Sequence, residues 1–324
     1  MTDNRTLFIF PGQGSQYAGI GADLHDQWPC VKKIYEQASD TLGYDIAKLS
    51  FDGSDDIHLT KYTQAVLLTH SIACLTVYQQ QSGSPITPVA TGGHSLGEYS
   101  ALVAAGVLSF ESALKLVKKR GELMGDLGEG EMMALQLDIN SVQTLASTYH
   151  AAVAACNLPE QTVVGGTPED LNALEEALRE LYPKKNSVRL KTEGAFHTYF
   201  MTAAAREFRP VLAAADFSPG EVRVLANYSG DFHDDRADSI RSSLFWQLFH
   251  PVLWHRNLLT AHESGLDAII EFGGGIGKGD EPASKKPNLA AIIKRAYRGL
   301  DNVPKYQAVI NNETLSSALE TQNT

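Results

Sequence analysis

Apolar residues run along this chain in two rhythms, and the change from one to the other is the first structural information in it. Leu7-Phe8-Ile9-Phe10 is a short continuous apolar run that breaks into Pro11-Gly12-Gln13-Gly14-Ser15-Gln16. A run this short, stopped by Pro and Gly, predicts a buried strand feeding a glycine loop. From Leu7 to about Gly125 such runs alternate with helical spacing, as in a parallel sheet covered on both faces. Pro88-Val89-Ala90-Thr91 ends one of these strands, 98–105 (EYSALVAA) reads as a helix, and 110–127 reads as a longer helix with Ser109 placed to cap it.

The second rhythm begins near residue 129. Residues 132–139, 152–156, 161–164 and 187–191 predict strands, and 140–149 and 168–181 predict helices. The resulting order, β-α-β-β-α-β, is that of a ferredoxin-like unit. The first pattern resumes after His197, with 222–225 and 268–271 as further strands. The expectation is an α/β chain in which a large parallel-sheet domain, 1–128 and 198–324, is interrupted by a ferredoxin-like small subdomain, 129–197.

Composition narrows the class. With 324 residues, 43% hydrophobic and 20% charged, the chain is ordinary globular protein without a repeat period. Its apolar stretches are too short to span a membrane, and the start, Met1-Thr2-Asp3-Asn4-Arg5, lacks a signal peptide's apolar core. A cytoplasmic enzyme without a membrane partner is expected, with a monomer as the default. Cys30, Cys74 and Cys156 are too few and too scattered for a disulfide framework, and no His and Cys spacing matches a metal set. Free thiols, no metal and no bound cofactor follow as expectations. A net charge of −11 argues against a nucleic-acid partner.

Candidate chemistry centres on Gly93-His94-Ser95-Leu96-Gly97. A G-x-S-x-G sequence between a strand and a helix presents the serine on a strained turn, with glycines admitting close main chain. The loop after the first strand carries neither G-x-x-x-x-G-K-[ST] nor G-x-G-x-x-G, which argues against a nucleotide site. A serine hydroxyl needs a base. His94 is its neighbour, and on a sharp turn neighbours usually point apart, so it reads as structural; His197, where the small subdomain rejoins the large one, is the stronger candidate.

Taken together, the glycine loop and the serine pentapeptide resemble the malonyl-CoA:acyl-carrier-protein transacylase family. The resemblance extends through Tyr62-Thr63-Gln64-Ala65, Arg120-Gly121-Glu122-Leu123-Met124, Asn157-Leu158-Pro159-Glu160-Gln161, Gly194-Ala195-Phe196-His197 and Gln247-Leu248-Phe249-His250-Pro251-Val252, in the family's order. It implies a hydrolase-like parallel-sheet core with the inserted ferredoxin-like subdomain and a site in the cleft between them. It also implies a serine-bound acyl-enzyme that moves malonyl from coenzyme A, a substrate and not a cofactor, to an acyl carrier protein of fatty-acid or polyketide synthesis. The residues it assigns are Ser95 as nucleophile and His197 as base, with the main-chain carbonyl of Gln247 orienting the imidazole. The N–H groups of Leu96 and Gln13 become oxyanion donors, Arg120 the malonyl clamp and Phe196 a pocket wall, with His94 and Asn157 beside the substrate.

Three features keep alternatives open. Read alone, Lys118-Lys119-Arg120 is a solvated basic face. His250, Tyr199 and a Gly-, Pro- and Lys-rich stretch at 273–287 depart from the family's pattern, the last either as a surface insertion or as an altered carrier contact. An editing hydrolase acting on carrier proteins, or a silent scaffold, would share much of the same sequence. Because acyl carrier proteins are acidic, docking on a chain of this charge requires a local basic cluster, either Lys184, Lys185, Arg189 and Lys191 or Lys285, Lys286, Lys294, Arg295 and Arg298.

Overall fold

Two sheets organise the computed structural model, which describes residues 4–279 and 281–322. Met1 to Asp3 of the polar start, and Asp280 of the 273–287 stretch, lie outside the described residues. The strands are β1 (Thr6–Phe10), β2 (Ala90–Gly93), β3 (Glu131–Leu135), β4 (Ala152–Leu158), β5 (Gln161–Gly166), β6 (Ser187–Leu190), β7 (Arg223–Ala226), β8 (Asp231–Phe232), β9 (Ala268–Phe272) and β10 (Lys305–Val309).

The large sheet has the order β10-β9-β1-β2-β7-β8, parallel throughout except that β8 returns antiparallel to β7. Strand β1 is central and wholly buried, which explains its unbroken apolar sequence: a strand covered on both faces has no polar alternation to show. Phe8 and Phe10 face one core with Leu24, Val31 and Phe272, while Leu7 and Ile9 face another with Trp254 and Leu258.

The alternation of strands and helices expected before residue 125 holds only in part. Among the described residues that region contributes two strands, β1 and β2, and between them lie five helical segments ending in the long helix Thr60–Gln81. That helix is buried on nearly every side, and its apolar positions therefore show almost no one-sided bias.

The small sheet has the order β4-β5-β3-β6, all antiparallel, with the helices Ile139–Thr148 and Pro168–Leu181 crossing between strands. Period two divides its strands cleanly. Met133, Leu135 and Val164 pack under the two helices in a core of their own, whereas Met132, Ala154 and Val163 join the core that contains Leu7, Ile9 and Trp254. Main-chain bonds at Val252, from its N–H to Ala154 O (3.0 Å) and to its carbonyl from Cys156 N (2.9 Å), fasten the two sheets' surroundings together. No helix among the described residues is long and apolar enough to cross a membrane.

Candidate active site

The turn that presents Ser95 is built by close main-chain packing. A Cβ on Gly93 would lie 2.0 Å from the main chain of Gly97, so any other residue would force the strand-to-helix turn open. Ser95 itself adopts φ 53°, the left-handed region that a non-glycine residue enters at a cost. Asn227, just past β7, holds the turn: its Oδ1 accepts the Ser95 N–H at 2.6 Å and its Nδ2 donates to Gly93 O at 2.8 Å. Nδ2 also donates to Asn257 Oδ1 at 3.1 Å. The Ser95 N–H is thereby committed to structure, leaving the N–H of the next residue, Leu96, at the head of the helix Gly97–Ala104.

His197 also sits at a left-handed turn, φ 61°, where the chain returns from the small subdomain. Its Nδ1 lies 2.7 Å from Gln247 O, and its Nε2 lies 2.6 Å from Ser95 Oγ. Because a carbonyl only accepts, Nδ1 carries the proton, and Nε2 is left to accept from the serine hydroxyl. Burial first, and then the nearby Arg120 charge, lower the His197 pKa to about 3, so the imidazole is neutral and able to take a proton.

Arg120 is almost completely buried, which excludes the solvated basic face. Its neighbours Lys118 and Lys119 turn elsewhere, to Leu42 O at 2.9 Å and Glu122 at 3.4 Å. The guanidinium donates to Gln64 Oε1 (2.9 Å), Gln247 Oε1 (3.0 Å) and Ser95 Oγ (3.3 Å), and its Nε has no partner among the described residues. Burial lowers its pKa. It is a desolvated cation in a cleft with donor capacity to spare, the arrangement that favours a carboxylate.

Gln247 is more than a carbonyl. Its Nε2 donates to Ser95 O and to Glu98 Oε2, both at 2.9 Å, while its Oε1 takes the Arg120 bond. Glu98, fully buried one helical turn after Ser95, also accepts from Asn227 N (3.0 Å) and faces His233 Nε2 at 2.7 Å. Glu98, Asn227, Asn257 and His233 were not legible as site residues. None of them belongs to a local motif, and each one's partner lies far away in sequence.

These groups open into a cavity of about 830 Å³ lined by Gln13, His94, Ser95, Arg120, Asn157, Phe196 and His197, with Met124, Met132, Leu289 and Ile292 as apolar wall. His94 is pinned by Asn157, Nε2 to Oδ1 at 2.8 Å, and stacks edge-on to Trp254. Gly12 passes so close that a Cβ there would lie 2.4 Å from His94 O. The N–H groups of Leu96 and Gln13 have no protein acceptor among the described residues. Behind the wall residues Asn288 and Leu289, buried Glu271 accepts from their N–H groups (2.8 and 3.0 Å) and from Tyr306 OH (2.5 Å). Burial raises its pKa to about 7, against the lowering effect of those bonds.

The features that depart from the family's pattern lie outside the cavity lining. Tyr199 is largely exposed with its OH on His150 O, and His250 packs in the aromatic group of Tyr228, Trp246 and Phe249. The 273–287 stretch is tied down by paired main chain at Ile276 and Lys286 and by Lys285, whose Nζ bonds Gly277 O and Gly279 O and lies over the Tyr17 ring. Of the two basic clusters, the small-subdomain one is partly consumed internally, Lys185 by Glu160 (2.8 Å) and Arg189 by Glu131 (2.9 Å) and Asn172 (2.6 Å).

The chain and its fold are similar to those of known acyltransferases. The acyl transferase domain family matches residues 7–274. A malonyl CoA-acyl carrier protein transacylase of Bacillus subtilis is 35% identical over 328 residues, covering 98% of this chain and 97% of its own. The malonyl-CoA:acyl carrier protein transacylase of Xanthomonas oryzae superposes with a TM-score of 0.87 at 30% identity, covering 99% of both chains. A malonyl-transacylase solved in complex with its type II polyketide synthase acyl-carrier protein gives 0.86 at 31%, covering 98% of this chain and 99% of its own.

Proposed function

The chain belongs to the malonyl-CoA:acyl-carrier-protein transacylase family, and from that premise we propose the residue-level route by which it moves malonyl from coenzyme A to an acyl carrier protein. Ser95 Oγ attacks the thioester carbonyl as His197 Nε2 takes its proton. The tetrahedral oxyanion is held by the N–H groups of Leu96 and Gln13. It collapses with loss of the coenzyme A thiolate, which receives the proton from His197, and a malonyl ester remains on Ser95. The phosphopantetheine thiol of the carrier then gives its proton to His197 and attacks that ester. Ser95 leaves and is reprotonated, and malonyl is now a thioester on the carrier.

Arg120 pairs with the malonyl carboxylate, Phe196 walls the pocket at the malonyl α-carbon and disfavours a methyl branch there, and the Gln247 carbonyl fixes the His197 tautomer. Asn157 and His94 form the floor beside the acyl chain. We assign 1–128 with 198–324 to the large domain and 129–197 to the small one, and the span of the small sheet, Glu131 to Leu190, supports that division. A coenzyme A thioester as substrate supports a cytoplasmic location, and a site complete within one chain makes a monomer sufficient.

The observation that carries this reading is the Ser95 hydroxyl held by His197 Nε2 at 2.6 Å with Arg120 at 3.3 Å from the same oxygen. An editing hydrolase would need the first contact but has no use for a buried carboxylate clamp. Incubation with labelled malonyl-CoA separates the two: a transferase retains label on Ser95 until carrier protein is added and then passes it on, whereas a hydrolase releases free malonate. Supplying carriers of fatty-acid and polyketide synthesis in turn identifies the destination.

A further inference from the structure

Thr60 opens the helix Thr60–Gln81, and the residue before it, Leu59, has no side chain able to cap it. A carboxylate from a distant part of the chain fills that place. Glu193 Oε2 accepts the Thr60 N–H, and Glu193 stands four residues before His197 on the return from the small subdomain. A carboxylate suits a helix N-terminus because free N–H groups and the positive dipole end meet there. The Thr60 hydroxyl, fully buried, accepts in turn from Gln13 Nε2 at 2.9 Å. A Cβ on Gly121 would come 2.6 Å from Thr60 O, so the helix that carries Arg120 rests on the same residue.

The loop around Gln13 needs such an anchor. Gln13 lies between two glycines, one at φ 98°, in a segment where main chain can swing readily. Ser15 Oγ ties the loop internally to Gly12 O, the Ser15 carbonyl accepts from Gly275 N–H and Gln16 Nε2 lies 3.3 Å from His58 Nδ1, but the tie at Gln13 itself is its side chain on the helix Thr60–Gln81. We propose that Thr60 and Glu193 are positioning residues for acyl transfer: Glu193 fixes Thr60, Thr60 holds the Gln13 side chain, and the Gln13 main-chain N–H stays aimed at the oxyanion. One connection therefore links the oxyanion loop to the segment that delivers His197. This inference rests on the reading that Ser95 is acylated and that Gln13 N–H binds the oxyanion.

Single-turnover acylation by malonyl-CoA, followed by intact mass, tests it. Displacing an oxyanion donor costs less than removing one, so T60V is expected to lower the rate at saturating substrate by about ten- to a hundredfold, with half-saturation changed by less than about threefold. T60S restores most of the rate. Q13A matches T60V, and the double variant is no slower than the slower single, because both cut the same connection. E193A slows acylation and E193Q, which keeps an acceptor oxygen, does so less; Glu193 is exposed, so these variants carry the test should T60V fail to fold. T60V or E193A at the wild-type rate, T60S as slow as T60V, or a double variant whose losses multiply overturns the inference. Wild-type enzyme that forms no adduct on Ser95 overturns the underlying reading instead.

Discussion

Arg120 and Ser95 share a hydrogen bond, with the guanidinium Nη2 3.3 Å from the hydroxyl oxygen. The cation proposed to bind the malonyl carboxylate therefore also touches the proposed nucleophile, and its charge adds to the burial that lowers the His197 pKa. On the proposed route, selectivity and serine activation are coupled through one side chain.

Replacing Arg120 with glutamine is expected to depress malonyl transfer relative to acetyl transfer by one to two decades, since a charge-assisted bond is worth roughly 1.5 to 3 kcal/mol. Single-turnover acylation with each thioester measures the ratio. Equal loss for both substrates would show that Arg120 serves the architecture alone.

Ser95→Ala should form no malonyl adduct by intact mass. His197→Ala should slow acylation by at least ~10², the scale of a lost general base. His94, held by Asn157 against Trp254, should matter less, and an acylation rate lower for His94→Ala than for His197→Ala would reassign the base.

His197 gives a defined pH signature. Its folded pKa, about 3, lies below the ordinary 6.5, so the unfolded chain takes up a proton that the folded site refuses. The stability tied to this group is complete above about pH 6.5 and is lost as pH falls toward 3. His197→Gln should therefore flatten the decline in melting temperature on acidification from pH 7 to pH 5. In the wild type, Ser95 acylation should show no acid limb near pH 6.5, and a limb there would place the base elsewhere.

Glu271 has the opposite sign. Its folded pKa, about 7, lies above the ordinary 4.5, so its contribution is present below pH 4.5 and lost as pH rises through 7. Glu271→Gln should remove that part of the pH dependence. A melting curve unchanged between pH 5 and pH 8 would mean that this carboxyl does not titrate in that range.

Carrier docking is expected on the helix Ala290–Ala296 and just beyond it. Its Ile292 and the preceding Leu289 line the cavity, while Lys294, Arg295 and Arg298 are exposed, in contrast to the internally paired Lys185 and Arg189. Reversing these three charges should weaken transfer to an acidic carrier steeply at low salt and leave self-acylation intact. If only the small-subdomain variants show that behaviour, the docking face is the other one.

How far the site could be read before the structure depended on whether a residue advertised itself locally. The Ser95 turn was legible because glycines, strand and helix all lie within a few positions, and the small subdomain because its half-buried strands and amphipathic helices keep separate periods. Thr60–Gln81 was not, because a helix covered on all sides has no polar face to mark it. Arg120 looked like part of a basic surface, and only its motif separated it from Lys118 and Lys119. Asn227 and Glu98 gave no signal at all, since their importance lies in bonds to Ser95 and Gln247 that span more than a hundred residues.

The place of β1 bears on how the chain is made. This strand precedes every other described strand in the chain, yet it is flanked by β2 and by β9, whose pairing with it begins at Thr6 and Ala268. One edge of the central strand must wait until β9 has been synthesised, and an apolar edge left open is a template for intermolecular pairing. C-terminal truncations that remove β9 should thus yield aggregates and not a smaller active enzyme, even though Ser95, Arg120 and His197 would all be present.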